Sequence, residues 1–224
     1  KAKELGMEAW IYDENGWPSG FVGGKLLENE EFRARFLEYS AGEYDPAAFA
    51  VFVRQGNGFA RVESVRPGVS EYHNVYLRVS PANTDILNPA VTDAFIAETH
   101  EKYYERFRGS FGKELAGFFT DEPQYYRWAT PYTPVAEREF AARGEDIRDG
   151  LIWLFEKGEG GYAFRERYFG ALNRLYVQNF YKKLYDWCES HGCRLTGHSV
   201  EESLLFGQMW GGAAVMPTYE YEHI

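Results

Sequence analysis

The chain has 224 residues, enough for one large domain or two small ones, and its 45% hydrophobic and 26% charged content is typical of a globular protein. Its 34 acidic and 24 basic residues give a formal net charge of -10, which argues against a basic face that binds nucleic acid. No apolar run approaches the ~20 residues of a membrane span, so we expect neither a nucleic-acid nor a membrane partner.

Aromatic residues make up 18% of the chain, which indicates either a large core or a cleft lined with rings that carry a polar group.

The two cysteines, Cys188 and Cys193, form no CxxC motif. The absence of GxSxG and HExxH motifs excludes the usual serine hydrolase and zinc protease patterns.

Short apolar runs that end in polar residues alternate with helical patterns along the chain. The predicted strands lie at 7–14, 84–88, 113–123, 193–203 and 214–223. The predicted helices lie at 25–39, 90–107, 135–157 and 162–191, with a short helix or turn at 203–212. Residues 44–80 differ, because apolar alternation on both sides of QGNG and in EYHNVYLRV predicts a hairpin and a further strand.

Buried strands separated by helices favour an α/β fold with a parallel sheet. Polar residues at the carboxyl ends of several strands are typical of a (β/α)8 TIM barrel, which takes ~250 residues. We therefore predict a partial TIM barrel of about five βα units, with the β-rich insertion at 44–80. The whole of 1–224 would be a single catalytic domain truncated at both ends. A doubly wound sheet is the alternative, but neither GxGxxG nor GxxxxGK[ST] is present.

Asp121 and Glu122, in the TDEP motif, are the strongest candidates for chemistry. Carboxyl groups at the mouth of an apolar strand are desolvated, and a carboxyl group kept protonated can protonate a leaving oxygen. Because neighbouring side chains on a strand point to opposite faces, only one of the two should face the site, and we predict Glu122. The alternative is that either residue caps the next helix or pairs with Arg127.

Hydrolysis of a glycoside usually needs a second carboxylate opposite the acid. Strand-end candidates are Asp13, Glu14, Asp85, Glu201, Glu202, Glu220 and Glu222. Glu201 and Glu202 directly follow the GHS strand end and are preferred as base or nucleophile. They are nearly as consistent with an acidic pair at a helix N-terminus.

Several other residues at the strand ends suit sugar recognition. His198 ends a strand beside Gly197 and could bind a sugar hydroxyl or a metal, or simply be hydrogen-bonded in place. Trp17 is a candidate for stacking on a sugar, with Trp128 and Tyr132 as further ones, although each could anchor a loop in the core.

Five motifs in this order resemble a known family: WIYDENGWPSGFVGG, DILNPAVTDAFIAETHEKYY, GFFTDEPQ, LTGHSVEES followed by Gln208, and MPTYEYEHI. Together they resemble the catalytic barrel of bacterial glycoside hydrolases related to the alpha-L-rhamnosidases of family 106. The resemblance covers residues 6–40 and 84–224. The chain has TDEP where many barrel glycosidases have Asn before the acid.

This resemblance implies a glycosidase that removes a terminal sugar such as alpha-L-rhamnose from plant glycans, within a longer polypeptide with other domains. It implies two glutamates, Glu122 as acid and Glu201 or Glu202 as partner. No cofactor is required, although the resemblance extends to a calcium ion near the substrate. A periplasmic or secreted location fits the resemblance, and the sequence leaves a cytoplasmic one open. The residues expected to shape the sugar site are Asp13, Trp17, Asn88, Asp121, His198, Tyr219 and Glu220.

Two other functions fit the same residues. One is a metal-dependent sugar isomerase or epimerase with Glu122, His198 and Glu220 as ligands. The other is a carbohydrate-binding protein without catalytic activity.

Overall fold

The computed structural model describes residues 1–125 and 128–224. The strands in this part of the chain are β1 (Ala9–Tyr12), β2 (Arg33–Gly42), β3 (Ala50–Gln55), β4 (Gly58–Arg61), β5 (Tyr72–Thr84), β6 (Leu115–Asp121), β7 (Thr130–Tyr132) and β8 (Arg194–His198). The helices are α1 (Ala2–Leu5), α2 (Pro89–Glu98), α3 (His100–Phe107), α4 (Pro134–Ala141), α5 (Gly161–Tyr176), α6 (Lys182–Ser190) and α7 (Leu205–Gly211). A π-helical turn at Val177–Tyr181 joins α5 to α6, and 3-10 turns form at Val22–Glu28, Glu30–Phe32, Arg108–Ser110, Ile147–Leu154 and Tyr219–Tyr221.

Within these described residues the strands form two sheets. The larger is antiparallel, with the order β4-β3-β5-β2-β7. The smaller is parallel, with the order β1-β6-β8. One hydrophobic cluster joins them, since it contains Phe118 and Leu195 of the parallel sheet together with Leu37 and Val75 of the antiparallel sheet.

The predicted partial TIM barrel is wrong. Of the predicted parallel strands, β1, β6 and β8 form, but residues 84–88 contribute Thr84 to antiparallel β5 and then turn into α2. The segment 214–223 contains a 3-10 turn, and His223 lies against β8 by donating its backbone N–H to the Leu195 carbonyl at 2.9 Å. Most strand residues therefore belong to the antiparallel sheet rather than to repeated βα units.

The helix predicted at 25–39 is also wrong, because two 3-10 turns occupy the segment up to Phe32 and β2 begins at Arg33. Its apolar spacing fits a helix locally, but pairing with β5 on one side and β7 on the other buries Ala34 and Leu37. Burial against neighbouring strands overrides a weak local preference. The hairpin around QGNG is confirmed as β3 and β4, and the predicted strand EYHNVYLRV is confirmed within β5.

The predicted helix at 90–107 is confirmed as α2 and α3, which meet at Thr99, and the one at 162–191 as α5 and α6. Between 135 and 157 the chain forms α4 and a 3-10 turn, and α7 confirms the short helix at 203–212. Among the helices that are described, none has both the length and the apolar character of a membrane span.

Side chains of β6 alternate between the two faces of the parallel sheet. Phe118 is fully buried beneath α3 and α6, where it stacks on His100 with ring centroids 4.0 Å apart and meets the edge of Trp187. Burial lowers the pKa of His100 to about 3, so this ring is neutral in the core. Phe119 faces the opposite side, between Tyr12 of β1 and His198 of β8. That second face carries the candidate site.

Gly117 and Gly197 allow the backbones of β6 and β8 to approach closely. A Cβ atom at Gly117 would lie 2.0 Å from the carbonyl oxygen of Arg194, and one at Gly197 would lie 2.1 Å from that of Thr120. Neither position can accept a side chain without moving the neighbouring strand.

Gly117→Ala should therefore lower the free energy of unfolding by about 1–3 kcal/mol or more, because the strands must separate to admit the methyl group. Urea denaturation measures this difference. Gly109→Ala is the control, because a Cβ at Gly109 meets no atom within 4 Å. Equal stability of the two variants would show that the strand contact is not as close as described.

Candidate functional site

The loop after β1 is held by the carboxylate of Glu14. Its Oε1 accepts backbone hydrogen bonds from Gly20 at 2.7 Å and Phe21 at 3.0 Å, and its Oε2 accepts one from Gly23 at 2.7 Å. A carboxylate that accepts several backbone N–H groups is strongly bound. Glu14, one of the strand-end candidates for the second carboxylate, therefore has a structural role in this loop.

Ser19 connects the same loop to the end of β6. Its hydroxyl donates to Asp13 Oδ1 at 2.8 Å and accepts the Asp121 backbone N–H at 2.8 Å. The Ser19 backbone N–H donates to the Asp121 carbonyl at 2.9 Å. Asp13 is fully buried and thus lies behind the site rather than in it.

Burial raises the pKa of Asp13 to about 7, against the opposing effect of the Ser19 hydroxyl. Within the described part of the chain, Asp13 Oδ2 has no hydrogen-bond partner. Both observations favour a protonated carboxyl group below neutral pH.

Asp121 is the last residue of β6 and Glu122 directly follows it, so the regular alternation of side chains along the strand does not extend to Glu122. Glu122 has a φ of 47°, a left-handed conformation that ends the regular alternation of β6. Asp121 Oδ2 accepts the Tyr12 hydroxyl at 2.6 Å, and Glu122 Oε2 accepts the Trp17 indole N–H at 3.1 Å. Two carboxylates are thus each oriented by an aromatic donor.

His198 completes this group from β8. Its Nδ1 lies 3.8 Å from Asp121 Oδ1, close enough for an ion pair when the ring is protonated. The ring packs edge-on against Phe119 with centroids 5.1 Å apart, and the His198 carbonyl accepts the Glu122 backbone N–H at 2.9 Å. We call the five residues the carboxylate site: Tyr12, Trp17, Asp121, Glu122 and His198.

The carboxylate site lies at the carboxyl ends of three parallel strands, where open α/β sheets commonly bind ligands. Tyr12 was not predicted from the sequence. The strand register identifies it, because Tyr12 pairs with Phe119, which lies two residues before Asp121. The side chains of Tyr12 and Asp121 therefore share a face of the sheet.

Glu202, Tyr219 and Glu222 form a second group after β8. The Tyr219 hydroxyl donates to Glu202 Oε2 at 3.2 Å. Burial, with a smaller contribution from the charge of Glu202, raises the pKa of Glu222 to about 7. Glu220, on the same 3-10 turn as Tyr219, is exposed to solvent.

Glu201 lines a separate cleft of about 320 Å³, which we call the aromatic cleft. Its lining residues are Trp128, Glu201, Leu204, Phe206, Gly207 and Trp210. Of the two further stacking candidates, Trp128 is exposed, whereas Tyr132 is buried and donates its hydroxyl to Glu137 at 2.5 Å.

Two residues near the predicted second strand have structural roles. Asn88 caps α2, because its Oδ1 accepts the Ala90 backbone N–H at 3.1 Å. Asp85 is buried and accepts the Thr133 hydroxyl at 2.7 Å. Burial raises the pKa of Asp85 to about 6.

Arg127, the alternative partner of the TDEP carboxylates, lies outside the described residues.

The described residues include no group of three or more His, Cys, Asp or Glu side chains placed to hold a metal ion. In this part of the chain, Glu122, His198 and Glu220 therefore do not come together as such a group.

Comparisons with known proteins found a distant structural match. No protein-family model matches the chain, and no curated protein matches it. Among solved structures, the chain is similar to a rhamnosidase from Novosphingobium sp. PP1Y, with 16% sequence identity and a TM-score of 0.46. The match covers 66% of this chain and 16% of the rhamnosidase chain, so the chain spans about one sixth of that enzyme's length. At this distance the match assigns no activity.

The buried Asp13 carboxyl should make folding stability depend on pH. Its pKa is about 7 when folded and near 3.9 when unfolded, so between these values the folded state holds a proton that the unfolded state has lost. The free energy of unfolding therefore falls as pH rises from about 4 to about 7, by up to about 4 kcal/mol from this group. Asp13→Asn should abolish this part of the fall in urea denaturation series.

The matched control is Glu105→Gln, because Glu105 is an exposed carboxylate on α3. Its stability curve should run parallel to that of the wild type across this pH range. If the stability curve of Asp13→Asn is also parallel to that of the wild type, the raised pKa of Asp13 is contradicted.

Proposed function

We propose that the protein is a glycoside hydrolase that removes a terminal sugar from a neutral glycan. The observation that carries the proposal is the pair of oriented carboxylates, Asp121 and Glu122, beside the rings of Tyr12, Trp17 and His198. Carboxyl groups supply the proton transfers of glycoside hydrolysis, and amphipathic rings suit a sugar, which has both apolar faces and hydroxyl groups.

Glu122 is the general acid in this proposal. Its protonated carboxyl group gives its proton to the glycosidic oxygen as the bond between that oxygen and the anomeric carbon breaks. The Trp17 indole holds Oε2, which fixes the orientation of the carboxyl group. Tyr12 positions the neighbouring Asp121 in the same way. In the proposal, Asp121 accepts hydrogen bonds from sugar hydroxyls, and His198 accepts or donates one.

Glu201 or Glu202 is the partner that takes a proton from the attacking water. The chain leaves β8 beside Glu122, because the Glu122 backbone N–H is bound to the His198 carbonyl. Glu201 and Glu202 follow three and four residues later. Glu202 is oriented by Tyr219, and Glu222 beside it is a further carboxyl group whose pKa of about 7 suits proton transfer near neutrality.

The remaining predicted residues have supporting positions in this proposal. Asp13 acts through Ser19 on the backbone of Asp121, and Asn88 acts on α2 as its cap. Glu220, exposed beside Tyr219, would contact the sugar directly. A neutral substrate is favoured because the carboxylates and the net charge of -10 repel anions. The motif resemblance given above makes alpha-L-rhamnose the first sugar to test.

Glu122→Gln should reduce hydrolysis about 10²–10⁴-fold, because glutamine keeps the shape of the side chain but cannot donate the proton. The measurement is release of nitrophenol from nitrophenyl glycosides, alpha-L-rhamnoside included. Because nitrophenol is a good leaving group, its release depends less on the acid. The loss of hydrolysis in Glu122→Gln should therefore be larger for an unactivated alkyl glycoside than for a nitrophenyl glycoside.

Glu105→Gln is the matched control, since Glu105 is an exposed glutamate on α3, and it should be as active as the wild type. Equal turnover by Glu122→Gln and the wild type would remove Glu122 from the role of acid. Sugar binding without turnover of any glycoside by the wild type would indicate a carbohydrate-binding protein instead.

A further inference from the structure

The two cysteines lie at the junction between α6 and β8, away from the groups that the proposed reaction uses. Cys188 is in the last turn of α6, and Cys193 directly precedes β8. Both side chains are buried and belong to the hydrophobic cluster that joins the two sheets. One short turn thus separates two buried thiols.

This turn is a Schellman motif, a common way for a helix to end. The Cys193 backbone N–H donates to the Cys188 carbonyl at 3.0 Å, and the Gly192 backbone N–H donates to the Glu189 carbonyl at 3.2 Å. Gly192, between them, has a φ of 67°, the left-handed conformation that this motif requires. The motif commonly brings together the side chains of the two residues that share the longer hydrogen bond, which here are both cysteines.

The hydrogen bond between Cys193 and Cys188 also limits the distance between their Cα atoms. A carbonyl oxygen lies about 2.4 Å from the Cα of its own residue, and an amide nitrogen lies about 1.5 Å from its Cα. With a bond of 3.0 Å between them, the two Cα atoms are at most about 7 Å apart. Disulfides join Cα atoms that are ~4.4–6.8 Å apart, so the backbone already has the spacing that a disulfide needs.

The thiols themselves are in contact. The thiol of Cys188 donates a hydrogen bond to the sulfur of Cys193, which raises the pKa of Cys188 and lowers the pKa of Cys193. Because the thiolate is the form that attacks a disulfide, Cys193 is the residue of the pair that reacts first.

We propose that Cys188 and Cys193 form a reversible disulfide that joins the end of α6 to the start of β8, with a small disulfide such as oxidised glutathione as the oxidant. The Cys193 thiolate attacks one sulfur of the oxidant, whose S–S bond breaks and releases one glutathione thiolate. The Cys188 sulfur then attacks the Cys193 sulfur of the mixed disulfide and expels the second glutathione, which takes up the Cys188 proton. The two cysteine sulfurs are oxidised, and oxidised glutathione is reduced to two thiols.

Peptide mass spectrometry of the wild type tests the proposal. The protein is equilibrated with a mixture of oxidised and reduced glutathione, both in the folded state and during refolding from urea, and is then alkylated and digested with trypsin. Residues 184–194 form one tryptic peptide that contains both cysteines, because Lys183 and Arg194 are cleavage sites. This peptide should lose two hydrogen atoms and escape alkylation, and dithiothreitol should restore both thiols.

Thermal unfolding of the oxidised and the reduced protein gives a second measurement. The oxidised protein should have the higher Tm, by roughly 4–8 °C, because the bond restricts the unfolded chain and its geometry matches the folded one.

Ser190→Cys combined with Cys193→Ser is the matched control. This variant keeps two thiols in the same peptide, but both are then on α6, two residues apart, where side chains do not face each other. Its peptide should not lose two hydrogen atoms in the same glutathione mixture.

Three results would overturn the proposal. The first is a wild-type peptide that keeps both thiols, or carries glutathione, in the folded and the refolded protein alike. The second is a disulfide that lowers the Tm, since the folded backbone would then oppose the bond. The third is equal oxidation of the control variant, which would show that the Schellman motif does not select the pair.

Discussion

The hydroxyl of Ser19 is the contact on which the candidate site depends, because it joins the loop after β1 to the end of β6. It donates to the buried Asp13 and accepts from the backbone of Asp121, while the Ser19 N–H binds the carbonyl of the same residue. Glu14 holds the rest of the loop through three backbone N–H groups. These bonds set Trp17 opposite Glu122, and without them the indole and the carboxylate would belong to independently moving segments.

The parallel sheet supplies the second constraint. Its helix-covered face is filled by Phe118 with the rings of α3 and α6, so the polar ends of the strands are directed to the other face. Glu122 follows the end of β6 in a left-handed conformation, and its carboxylate accepts the Trp17 indole N–H while that of Asp121 accepts the Tyr12 hydroxyl. Glu122 has a φ of 47°, and strained backbone of this kind concentrates at binding and catalytic sites.

The sequence predicts the strands that carry the candidate site but not the fold. The strands at 7–14, 113–123 and 193–203 are recognisable because they are short apolar runs that end in polar residues, and these three assemble the carboxylate site. The antiparallel sheet is missed because the helical spacing of 25–39 is a local signal, whereas β2 is stabilised by strands distant in sequence. The sequence does not distinguish the structural roles of Glu14 and Asn88 from substrate binding, because a side-chain oxygen that binds backbone and one that binds sugar look alike in sequence.

The central claim is that a neutral sugar binds at the carboxylate site against Trp17. The most direct test is NMR of the indole N–H groups, with the Trp17 resonance assigned by its loss in Trp17→Phe, during titration with L-rhamnose and other neutral monosaccharides. The account predicts a saturable shift of the Trp17 resonance with one of these sugars, because a bound sugar must alter the contact between this indole and Glu122. A Trp17 resonance that no sugar moves, in a protein whose other resonances show it to be folded, would contradict the account.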